Sequence, residues 1–127
     1  MRKSIKKIVS DKEWLVCFLA DSTYDSPWFG IKVSEKTPSD VRTAANANNE
    51  CREEVWADVL LNGGTLFVYD YEEEKGYEFA LADVIKGMNK LMRNYPHHYA
   101  AIKDEDYDYF DVDALLQVIV FGEVVYG

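Results

Sequence analysis

A chain of 127 residues holds one hydrophobic core, and with 48% apolar and 14% aromatic residues it is too rich in core formers to be a disordered polymer. Its formal net charge is −9; Arg2, Lys3, Lys6, Lys7 and Lys12 face only Asp11 within 1–12, so the remainder holds nine basic against twenty-two acidic residues, or −13. A body so acidic repels phosphate, which excludes nucleic-acid binding anywhere but the small basic start.

Ile5–Val9 reads as a short first strand. Ser10 and Glu13 have capping-box spacing, and the apolar run from Trp14 to Leu19 predicts a helix to about Thr23. Pro27 then excludes a continuing helix, and Trp28, Phe29, Ile31 and Val33 read as a short strand or an extended cover over the core. Residues 34–49 are polar and predict a surface loop with at most a helical turn near 39–42. A helix from Glu50 to about Leu60, with Val55, Trp56, Val59 and Leu60 inward, stops at Asn62-Gly63-Gly64.

Thr65 to Tyr71 is the clearest β signal, Glu72 to Gly76 makes a turn, and Tyr77 to Ala80 returns. Leu81, Val84, Ile85, Met88, Leu91 and Met92 recur at helical spacing up to Pro96. His97 to Phe110 reads as a wet, acidic connection. In 111–121, Asp113 and Gln117 are the only polar interruptions, so this segment predicts a helix that the domain must surround, capped by Asp111 and stopped by Gly122. At about eleven helical residues it is too short for a bilayer, which needs roughly twenty. The expected fold is α+β: a small antiparallel sheet (hairpin about 65–80) packed with three to four helices, the last of them buried, in a single acidic domain over 1–127. Val124-Val125-Tyr126 after Gly122 reads as a possible edge strand, and a homodimer would follow from it.

Chemical motifs are sparse. Neither GxGxxG, a phosphate loop nor GxSxG occurs. The adjacent histidines His97 and His98 diverge and make a poor metal clamp, so both read as exposed loop residues. Cys17 and Cys51 form no CxxC, and the simplest reading packs both thiols inside a reduced protein. From Asp104 the acids fall at EF-hand positions, but Tyr109 replaces the bending glycine and Leu115 the bidentate glutamate. These residues predict no enzyme, no cofactor and no metal. The basic start reaches only Ile8 and Val9 before Ser10, so no leader is expected, and no membrane helix follows.

What remains is a surface. Tyr69 and Tyr71 precede Glu72, Glu73 and Glu74; Asp104, Glu105, Asp106 and Asp108 alternate with Tyr107 and Tyr109. Acids interleaved with tyrosine suit either plain solvation or contact with a basic protein, where carboxylates stand in for the phosphates of DNA.

The C-terminal half, NGGTLFVYDYEEEKGYEFALADVIKGMNKL followed by DVDALLQVIVFGEVVYG, resembles a group of small proteins of phages, prophages and conjugative elements that end in LFGE[IV]VYG. The match covers about Asn62 to Gly127; Ala20 to Tyr24 departs from the ALEGG found in relatives, and Ala80 replaces their capping Thr. The resemblance implies a mobile-element protein in the cytoplasm of a bacterial host, of a class that often inhibits restriction or CRISPR nucleases. An adaptor or structural accessory of the element's own replication or transfer machinery is the alternative.

Overall fold

The structure, a computed structural model, describes residues 4–24 and 28–126. Pro27, and Arg2 and Lys3 of the basic start, lie outside the described residues. The described residues form an α+β fold: helices α1 (Ile5–Val9), α2 (Lys12–Thr23), α3 (Ser39–Asn48), α4 (Arg52–Leu61), α5 (Leu81–Asn94), α6 (Pro96–Lys103) and α7 (Tyr109–Phe121), with strands β1 (Phe29–Val33), β2 (Leu66–Asp70) and β3 (Lys75–Phe79).

The sheet is antiparallel in the order β1-β2-β3. Leu66 pairs with Phe79 and with Val33, and Val68 pairs with Tyr77 and with Ile31. Alternation on β2 buries Leu66, Val68 and Asp70 toward the helices, while Phe67 and Tyr69 face away. The hairpin expected over 65–80 is therefore present, with its turn at 71–74 where 72–76 is expected.

Helix α7 is the hub. Val112, Leu115, Leu116 and Val118 are buried, and the helix packs against α2, α5, α6 and β3. Its cap is Asp108, three residues before the expected Asp111. The Asp108 carboxylate accepts the N–H groups of Phe110 and Asp111 at 2.9 and 3.2 Å, and Asp111 returns the favour by accepting the Asp108 N–H at 3.0 Å. Gly122 ends the helix in the left-handed conformation, φ 85°. Helix α5 approaches closely because Gly87 has no side chain: a Cβ there would lie 2.5 Å from Ile119 Cγ1. At the start of α5, Asp83 accepts the Ala80 N–H at 2.8 Å and makes up for part of the cap that Ala80 lacks.

The four expected helices are all present; three further ones were not anticipated. Ile5–Val9 is helix α1 instead of a strand, since Ile5, Ile8 and Val9 have helical spacing and Ser4 Oγ caps the segment. Ser10 ends α1, so Asp11, not Ser10, caps α2, accepting the Trp14 N–H at 3.2 Å. Helix α3 replaces the expected loop. It buries only Ala45, too little to make a periodic pattern, and is held by side-chain bonds to the segments flanking it, such as Arg42 Nη2 to Ser34 O at 2.7 Å and, from its C-cap, Asn49 Nδ2 to Asp58 at 2.6 Å. Helix α6 replaces part of the expected acidic connection because Pro96, besides ending α5, is preset to open a helix.

Three smaller expectations also change. Met92 is exposed, one step beyond the buried stripe of Val84, Met88 and Leu91. Both thiols are exposed, not packed inside. Residues 124–126 are not a strand; Gln117 binds their backbone instead, its Oε1 accepting the Val125 and Tyr126 N–H groups at 2.8 and 2.7 Å.

Candidate functional site

The first acidic segment is set by buried Asp70 at the end of β2. Its Oδ1 accepts the N–H groups of Glu72 and Glu73 at 2.9 and 3.3 Å, and Tyr126 donates its hydroxyl to Oδ2 at 2.9 Å. Anchored this way, the turn leaves Glu72, Glu73 and Glu74 exposed, with Glu74 at φ 53°. The neighbouring rings lie on the outer face of the sheet. Tyr69 is half-buried, Tyr71 is 57% exposed, and their centroids are 5.6 Å apart, edge to face. Glycine on β1 lets the Tyr71 ring lie flat: a Cβ on Gly30 would fall 2.4 Å from its hydroxyl.

The second segment links α6 to α7. Asp104, Glu105 and Asp106 are exposed, Glu105 at φ 57°. Tyr109 and Phe110 are exposed, their rings tilted against each other with centroids 4.4 Å apart. Two residues of the expected contact set are used internally: Asp108 caps α7, and half-buried Tyr107 turns inward to donate its hydroxyl to Asp21 at 3.0 Å. Burial, and then the Asp21 hydrogen bond, push the Tyr107 phenol up to about 12. The two segments therefore sit on separate loops. Buried Trp28 ties the first segment to α7: its carbonyl accepts the Tyr71 N–H and its indole donates to Asp113, both at 2.8 Å.

Tyr107 and Glu105 also help to enclose a groove of about 780 Å³ whose other walls come from the end of α1, the outer face of α2 and the end of α6. Ile8, Trp14 and Tyr107 supply its apolar surface above buried Ile102; Asp11, Glu13, Asp21 and Glu105 supply carboxylates against one cation, Lys103. Cys17 opens onto it, its thiol held up by burial and then by Asp21, Glu13 and Glu105. The α2 contribution is written in the sequence: Trp14, Cys17 and Asp21 recur at helical spacing beside the core stripe Leu15, Phe18, Leu19 and Ser22. That second stripe reads as ordinary helix surface until α6 is placed opposite it.

Among the described residues the thiols lie apart from the imidazoles. The Cys51 thiol is raised by its hydrogen bond to Glu54 and by that carboxylate's charge, so neither thiol is primed as a nucleophile. His98 is half-buried on α6, not in an exposed loop, and its Nδ1 lies 2.6 Å from Asp111 Oδ1, tying α6 to α7; the His97 ring packs 4.0 Å from it. Among the described residues no three His, Cys, Asp or Glu side chains are grouped to hold a metal ion, and no helix is long and apolar enough to cross a membrane. Comparison with protein-family models, with curated proteins and with solved structures returns no match.

Proposed function

We propose that this chain is a non-catalytic, mobile-element protein that binds the basic DNA-binding surface of a host defence protein, such as a CRISPR or restriction nuclease, and competes with DNA there. The supporting observation is how the acids are divided. Asp11, Asp83, Asp108 and Asp111 cap helices, Asp70 and Asp113 hold buried hydroxyl and amide groups, and Asp58, Glu53 and Glu78 pair with Lys12, Arg52 and Lys36. Glu72, Glu73, Glu74, Asp104, Glu105 and Asp106 form no salt bridge among the described residues and stand exposed on two loops. Exposed carboxylates without internal work are the groups a basic partner can neutralise, and they speed its approach.

The experiment is competition: a restriction or CRISPR nuclease, labelled target DNA, and the intact chain titrated in. The reading expects displacement of DNA that weakens with salt, because the contact is ionic. It also expects Lys at 72–74 or at 104–106 to reduce it. If DNA stays bound across a panel of such nucleases, the inhibitor reading is lost. If affinity capture from the native host then recovers only element-encoded proteins, the chain is an adaptor of the element's own machinery.

A further inference from the structure

We propose that the groove between α2 and α6 is the docking site for a short basic segment of a partner protein, which lays an aliphatic or aromatic side chain on Trp14 and sets its cations against Glu13 and Glu105. This rests on the reading of the chain as a binder of basic protein and says where and how such a protein is held.

The shape comes first. A recess of about 780 Å³ is large enough for several side chains, and the second acidic segment supplies Glu105 and Tyr107 to its wall. The lining comes next. Trp14 presents part of its indole, braced from behind by Phe18 in a stack at 5.5 Å, so the surface an incoming side chain meets is fixed before it arrives. Tyr107 is locked in place by Asp21, and Asp11 is occupied in capping α2. Glu13 and Glu105 have no salt-bridge partner among the described residues, and Lys103 is the one cation in the lining.

The charge selects the occupant. Four carboxylates repel nucleotides, nucleic acid and anionic lipid headgroups alike. They favour a cation, and the apolar floor favours a cation flanked by a greasy residue, the pattern of an amphipathic basic peptide. Burial first, and then the carboxylates around them, hold both the Cys17 thiol and the Tyr107 phenol up.

Cys17 and Cys51 allow a test with an internal control, because both thiols are exposed and only Cys17 lines the groove. The intact chain is alkylated with iodoacetamide, and the two sites are followed separately by mass spectrometry. The probe is a synthetic amphipathic Lys/Leu peptide; a Glu/Leu peptide and a Lys/Ser peptide are the comparisons. The expected result is that Lys/Leu slows alkylation of Cys17 by about tenfold or more, the ratio read when most of the chain is bound, while Cys51 reacts as before. Glu13→Lys with Glu105→Lys abolishes the protection with circular dichroism unchanged, and Glu73→Lys leaves it intact. Equal protection of both thiols, equal protection by Lys/Ser, or protection that survives the Glu13/Glu105 reversal overturns the proposal.

The nuclease competition separates this inference from the broader reading. Displacement of DNA that the groove variants leave untouched removes the groove and keeps the inhibitor. Protection of Cys17 by Lys/Leu with no displacement of DNA by the unaltered chain keeps the groove and removes the inhibitor.

Discussion

Gln117 closes its carboxamide on the backbone of Tyr126: Oε1 accepts the Tyr126 N–H at 2.7 Å, and Nε2 donates to the Tyr126 carbonyl at 3.2 Å. The same Nε2 donates to Asp113 at 2.7 Å, and Asp113 takes the Trp28 indole N–H at 2.8 Å. Gln117 is 1% exposed, so one buried side chain pairs the tail with α7 much as a neighbouring strand would. Further contacts hold residues 122–126 in place. Gly122 reverses the chain, Val124 donates its N–H to the Tyr95 hydroxyl at 3.1 Å, and Tyr126 packs its ring on Trp28 at 5.3 Å.

Gln117→Leu keeps roughly the volume and deletes the four bonds that Gln117 itself makes, to Asp113, Val125 and Tyr126. Two backbone N–H groups and one carbonyl lose their partner, and an apolar helix position remains. We expect a loss of about 2–4 kcal/mol, measured by urea unfolding with the slope unchanged. A loss below about 1 kcal/mol would mean that the tail is held by its rings alone.

Gly87→Ala sets helix propensity against space. Alanine gains up to about 1 kcal/mol in a helix interior, but its Cβ would fall 2.5 Å from Ile119 Cγ1, near the root of a β-branched side chain that cannot swing away. The clash wins, and we expect net destabilisation of about 1–2 kcal/mol. In an Ile119→Ala background the same change should become neutral or stabilising, and a thermodynamic cycle over the four proteins measures the coupling.

Glu74 and Glu105 hold left-handed backbone at φ 53° and 57°, where a side chain is strained. Glycine removes the strain at either position. Glu74→Gly and Glu105→Gly should each raise stability by about 0.5–1 kcal/mol, while alanine should not. Thermal melts of the four single variants decide this.

Alkaline pH should unfold the protein through two tyrosines. Desolvation, and then hydrogen bonds to Asp70 and Asp21, push Tyr126 and Tyr107 from 10.0 up to about 12. Because each folded value lies above the unfolded one, folding favours the protonated phenol. The stabilisation is therefore complete below pH 10 and drains away as pH climbs to about 12. Tyrosinate absorbance during a pH titration should show these two ionising late or together with unfolding, and Tyr107→Phe and Tyr126→Phe should each remove one late step.

Periodicity carried the sequence reading where an element buries enough to leave a pattern. Leu115, Leu116 and Val118 announced α7, alternation announced β2, and Val84, Met88 and Leu91 announced α5. Helix α3 buries one residue and α6 buries one, so their patterns are too thin to read, and bonds such as Arg42 to Ser34 and His98 to Asp111 hold them instead.

The chain's own composition and order determined an acidic α+β domain around a C-terminal helix, because burial periods and charge are local and additive. Tertiary structure alone decided which acids are spent inside and which are left over, and it alone made a groove from residues in four segments between Ile8 and Tyr107. A cavity is a relation between distant surfaces, and no stretch of sequence contains both of its walls.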